Sequence, residues 1–148
     1  IFPGNFSPSP LSPTRPLAHP PLTTISSTPI LRTDAYILTH PGIPCLFWPH
    51  AVRMPDGRHG DMAAEVAAMV RMRKDAGITS DSRVDILVAE SDVYVARVRG
   101  RQADVTVKLG PRYDFPAEIM PAEGGREWKM CASGKDYAIW SRPHATRA

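Results

Sequence analysis

Val105-Thr-Val-Lys-Leu-Gly-Pro-Arg-Tyr-Asp114 is the stretch whose reading decides the fold. Its first five residues are rich in β-branched side chains and suit a pleated strand. Gly110-Pro111 stops that strand, because proline has no N–H to give the ladder. Two similar runs precede it, Asp85-Ile-Leu-Val88 and Val93-Tyr-Val-Ala-Arg-Val98, with Arg99-Gly-Arg-Gln102 placed as a hairpin loop. Glu127-Trp-Lys-Met-Cys131 and Asp136-Tyr-Ala-Ile-Trp140 flank Ser133-Gly134-Lys135, a second tight turn with glycine where φ > 0 is needed. These runs predict a small antiparallel sheet of about five strands.

Working outward, Asp61 to Ala76 reads as a helix. Asp61 suits the N-cap, Gly77 suits a left-handed C-cap, and Met62, Val66, Met69 and Val70 share one face. Arg71, Arg73 and Lys74 favour the negative end of that helix. Asp34 to Leu38 reads as the tail of another helix. His40-Pro-Gly-Ile-Pro44 is a turn, Cys45-Leu-Phe-Trp48 a short buried strand ended by Pro49, and Met54 to Gly60 a loop.

The strings Ser91-Asp-Val-Tyr-Val-Ala96, Val107-Lys-Leu-Gly-Pro-Arg-Tyr-Asp114 and Asp136-Tyr-Ala-Ile-Trp140 closely resemble the C-terminal β-sheet domain of plant and green-algal α-amylases. Ala35 to Phe47 is similar to the last part of that family's catalytic barrel. The resemblance covers roughly Asp34 to Arg142. It implies an α+β chain: the last βα unit of a (β/α)8 barrel, then the sheet domain. The corresponding boundaries are 1–33 for a Pro/Ser-rich disordered segment, 34–78 for the barrel remnant, 79–142 for the sheet domain and 143–148 for a tail.

The 148 residues are enough for one ordinary domain, and a net charge of +3 does not single out a nucleic-acid partner. Cys45 and Cys131 are too few for a disulfide framework, and their redox state stays open. No apolar run approaches the ~20 residues of a membrane span. Eight of the sixteen prolines lie before Asp34, the first acidic residue, which is why that segment is expected to be disordered. Its Ser-rich, acid-free composition is similar to an organellar leader, but it lacks an amphipathic period. The compartment stays open between plastid and secretion.

The resemblance implies endo-hydrolysis of α-1,4 bonds in starch by a carboxylate pair. In the family those acids precede the position of Asp34, so this chain alone is expected to be inactive and to have no catalytic residues. The acids present, from Asp56 to Asp92, read as caps and solvated groups. The family binds calcium through ligands mostly from another domain, and no calcium loop or histidine–cysteine metal spacing is present here. His40 reads as structural. Tyr113 is the one candidate carbohydrate-binding residue: an aromatic ring at a strand end offers a platform to a glucose unit. The resemblance implies a partner histidine in a His-Gly-x-Asp-Tyr string, where this chain has Ser133-Gly-Lys-Asp-Tyr137. Trp128 and Trp140 are expected in the core.

The partner expected is starch or a maltooligosaccharide, with neither nucleic acid nor membrane. Self-association is expected through an exposed helix at 62–76. A non-catalytic glucan-binding β-sheet module is the alternative reading. A small basic nucleic-acid-binding domain using Arg97 to Arg101 is a further rival.

Overall fold

The computed structural model describes residues 27–52, 62–115, 119 and 127–145. The elements are α1 (Ser27–Thr39), α2 (Trp48–Ala51), α3 (Ala63–Ala76), β1 (Val84–Ala89), β2 (Tyr94–Arg99), β3 (Ala103–Leu109), β4 (Lys129–Gly134) and β5 (Tyr137–Pro143). The strands form one antiparallel sheet in the order β1-β2-β3-β5-β4. The five expected strands are all present, with ends displaced by at most three residues. In the β4–β5 turn the positive φ falls on Asp136, at 66°, and not on the glycine. Gly134 is needed there for space, since a Cβ would stand 2.4 Å from the Tyr137 ring.

Register sorts the side chains onto two faces. Ala96, Val98, Val105, Val107, Tyr137 and Ile139 face the helices and join Leu38, Val66, Met69 and Met72 in one core. Arg97, Arg99, Asp104, Thr106, Lys108, Trp140 and Arg142 lie on the far face. All seven residues of β3 are buried, so both of its faces are covered. The helices cover one. Over the other, the ring of Tyr113 lies against Lys108 and that of Trp128 against Arg97 and Arg142.

Three expectations are corrected. The helix at 62–76 is not exposed: Met62, Val66 and Met69 are each at most 2% accessible, because α3 packs against α1 and the sheet. The apolar stripe expected to drive self-association is therefore already buried. Cys45-Leu-Phe-Trp48 forms no strand; residues 43–47 are irregular, Cys45 is exposed, and Trp48 opens α2 with Pro49 in its first turn. A strand needs a hydrogen-bonded neighbour, and among the described residues none lies beside this segment. Finally, helix begins at Ser27, inside the stretch expected to be disordered through Thr33. Pro29 sits in the first turn of α1, where its missing N–H costs nothing. The rest of that stretch, the Asp61 cap and the 54–60 loop lie outside the described residues.

The helix ends are tied together. Gly77, at φ 68°, closes α3 with its N–H on Lys74 O and the Ile78 N–H on Arg73 O, a Schellman pair. Arg73 does not serve the end of its own helix. Its guanidinium donates to the carbonyls of Leu38, His40 and Gly42 at 3.0, 2.6 and 2.7 Å, and so caps the C-terminal end of α1.

Candidate functional site

The site is built on the end of β3. Leu109 is its last residue, and Gly110 follows at φ 111°, a conformation β-carbon-bearing residues avoid. Its N–H donates to Asp136 O at 2.7 Å, which holds the β4–β5 turn against the strand end. Arg112 next ties the chain to the β1–β2 turn through Glu90 and, at 3.5 Å, Asp92. Two fixed points thus bracket the residue between them and direct Tyr113, which is 57% exposed.

Beneath Tyr113 lies Lys108. Its side chain is fully buried, its ammonium donates to Gly110 O, and its Nζ sits 3.2 Å from the centre of the tyrosine ring. Burial pushes the Lys108 pKa below the ordinary lysine value, and the charge of Asp136 partly restores it. A cation against a π face is attractive, so Lys108 fixes the inner face of the ring while the outer face stays accessible. Ser133 belongs to the same neighbourhood: Lys108 pairs with Ala138 and Ala138 with Ser133 in one row across the sheet. Two strand spacings put Lys108 and Ser133 about 10 Å apart. Tyr113 and Ser133, 20 positions apart in the chain, are thereby brought to the same end of the same face.

The remaining expected residues have other surroundings. His40 is buried; its Nδ1 donates to Tyr36 O at 2.9 Å and its Nε2 accepts from the Tyr94 hydroxyl at 2.8 Å. His50 lies 3.3 Å from Asp34, whose pKa is raised by burial and partly restored by that imidazole. His144 lies 3.1 Å from Asp104. Among the described residues no three histidines, cysteines or acids are grouped to hold a metal ion. Trp140 is buried, 6% exposed, but on the far face of the sheet and outside the helix-facing core. Trp128 precedes β4 and lies over the far face, 5.2 Å from the Arg97 guanidinium and 4.9 Å from that of Arg142. Arg97 and Arg99 point to that face, while Arg101 is exposed in the hairpin loop. Cys45 and Cys131 are free thiols. Among the described residues no helix is long and apolar enough to cross a membrane.

Sequence reading missed Lys108 as the support for Tyr113. The signal was present: a lysine sits inside a strand whose neighbours all read as buried.

Comparison with known proteins agrees with this layout. Residues 75–141 match the alpha-amylase C-terminal beta-sheet domain. The sheet domain belongs to that family. Similar proteins include the alpha-amylase type B isozyme of Hordeum vulgare, 37% identical over 113 residues, which are 76% of this chain and 65% of that protein. The probable alpha-amylase 2 of Arabidopsis thaliana is 35% identical over 76% of this chain and 24% of its own length. The glucan 1,4-alpha-maltotetraohydrolase of Stutzerimonas stutzeri is 31% identical over 75% of this chain and 19% of its own length. The chain therefore spans only part of each of these relatives, from 65% of the Hordeum vulgare protein downward. The matched residues begin at the end of α3, take in β1 to β4 and end within β5.

Proposed function

We propose that this chain is the C-terminal part of an alpha-amylase acting on starch-type glucans, and that its sheet domain contributes a glucan contact at Tyr113 instead of hydrolysis. The observation that carries this reading is the exposed Tyr113 ring, backed by Lys108 on its inner face and open on its outer face. Such a surface suits the C–H face of a glucose unit. The carboxylates support a non-hydrolytic role. Asp85 and Asp104 are engaged by arginines, Asp34 by His50, and Glu90 and Asp92 by Arg112. Retaining hydrolysis requires two carboxyls about 5–5.5 Å apart flanking a bond, one protonated and one free.

One stacked ring is worth about 1 kcal/mol, by analogy with aromatic pairs. A millimolar complex needs roughly 4.1 kcal/mol, so affinity for a maltooligosaccharide is weaker than millimolar. Calorimetric or NMR titration of a linear glucan tests the site. Tyr113→Ala abolishes the binding, and Ser133→His strengthens it by adding a second ring at the same end of the same face. If Tyr113→Ala binds as the parent does, the contact is refuted. Hydrolysis is tested separately: reducing ends released from soluble starch by the rigorously purified chain would overturn the non-hydrolytic reading.

A further inference from the structure

The far face of the sheet carries a second cluster that the glucan contact does not use. Arg97 and Arg99 come from β2 and Arg142 from β5, 43 positions after Arg99 in the sequence. Register assembles them: Arg97 pairs with Thr106, Arg99 with Asp104, and Asp104 with Arg142. The nearby carboxylates are already divided. Asp104, 3% exposed, accepts from Arg99 at 2.8 Å and Arg142 at 2.9 Å, and His144 adds a third contact at 3.1 Å. Asp85 is shared between Arg99 at 3.1 Å and Arg83 at 2.9 Å. Among the described residues Arg97 has no carboxylate at ion-pair distance. Its contacts are the Thr106 hydroxyl at 3.4 Å and the Trp128 ring. Burial lowers its pKa and the charges of Arg99 and Arg142 lower it further, while those of Asp104 and Asp85 partly restore it. A partly buried guanidinium flanked by two others, with no carboxylate in direct contact, is a place where an anion lowers the energy.

We propose that Arg97, with Arg99 and Arg142, binds a phosphate monoester on the far face of the sheet. Guanidinium forks match the oxygens of a tetrahedral oxyanion. The Arg99 and Arg142 side chains are 43% and 34% exposed, which leaves the cluster open to solvent. Trp128 supplies an apolar surface beside it for an attached sugar. Asp85, Asp104 and Glu127, the last 3.6 Å from Arg142, flank the arginines, so a phosphodiester backbone running across the face meets like charge at several points. The monoester could come from a free hexose phosphate or from a phosphate carried on a glucan chain; both present the same group.

The experiment is an NMR titration of the full chain, following arginine Nε–H signals. The probes are inorganic phosphate, glucose 6-phosphate, and a maltooligosaccharide with and without a phosphate monoester. All phosphate-bearing probes shift the Arg97 signal saturably, and Arg97→Gln weakens them about tenfold, the effect of losing one charge-assisted contact. Tighter binding of the phosphorylated oligosaccharide than of glucose 6-phosphate identifies the glucan-borne source; the reverse identifies the free sugar. Tyr113→Ala still binds phosphate, so failure of the glucan contact and failure of this site are separate results. If Arg97→Gln does not fold, Arg97→Lys keeps the charge without the fork and binds several-fold more weakly. The proposal is overturned by an absence of saturable shifts in the parent, by equal binding in the folded variant, or by single-stranded nucleic acid occupying the same arginines more tightly than the monoester.

Discussion

His40 on the turn after α1 accepts a hydrogen bond from the hydroxyl of Tyr94 on β2, at 2.8 Å, across 54 positions of sequence. The bond fastens the helical layer to the sheet at one point. Because Nδ1 faces the carbonyl of Tyr36, that nitrogen carries the proton and Nε2 is left as the acceptor.

That geometry sets a pH dependence. Burial holds the His40 pKa below its ordinary value of 6.5. Between 6.5 and the lower folded value, the unfolded chain binds the proton and the folded chain does not. The contribution is complete above 6.5 and is lost as pH falls through the folded value. Urea unfolding from pH 7.5 to 5 is expected to show this loss, and His40→Gln to reduce the slope. An unchanged slope in the variant would contradict the assignment. Tyr94→Phe costs about 1 kcal/mol at neutral pH, the worth of one hydrogen bond.

Arg73 joins three carbonyls at the end of α1 and is 8% exposed. Arg73→Leu removes the donors and leaves carbonyls of Leu38 and His40 without them. A loss of about 3 kcal/mol is expected, in the range for breaking a buried charged contact. Hydrogen exchange should also show the last turn of α1 opening ahead of α3. If α1 and α3 keep parent-like protection, the cap is not what holds the helix end.

Gly110 stands at φ 111°, and a Cβ there would lie 2.2 Å from Asp92 O. Gly110→Ala therefore meets both backbone strain and a clash, and is expected to cost more than about 1 kcal/mol. The variant should also displace Tyr113, visible as altered tyrosine ring signals in NMR. Parent-like melting together with unchanged ring signals would remove Gly110 from its role in aiming the ring.

Met69 is fully buried between α1, α3 and the sheet. Met69→Ala is expected to cost about 2–5 kcal/mol. Since this stripe packs within one chain, the unfolding midpoint should not depend on protein concentration. A midpoint that rises with concentration would mean that the helix is shared between copies.

The sequence by itself determined the sheet and the cap of α3. Alternating β-branched runs, Pro111 after Gly110 and a glycine at 77 are local signals, because each acts through the backbone of its own neighbours. The strings shared with alpha-amylases were equally legible. Only the tertiary structure decided what lies across from what. The order β1-β2-β3-β5-β4 puts β5 between β3 and β4, and that brings Ser133 into the row of Lys108 and Arg142 beside Asp104. Cys45 to Trp48 had the composition of a buried strand but found no neighbour to pair with among the described residues, and Arg73 left its own helix end for the carbonyls of α1. Pairing and capping are satisfied by whichever partner the packed chain brings near, and distance along the sequence does not set that choice.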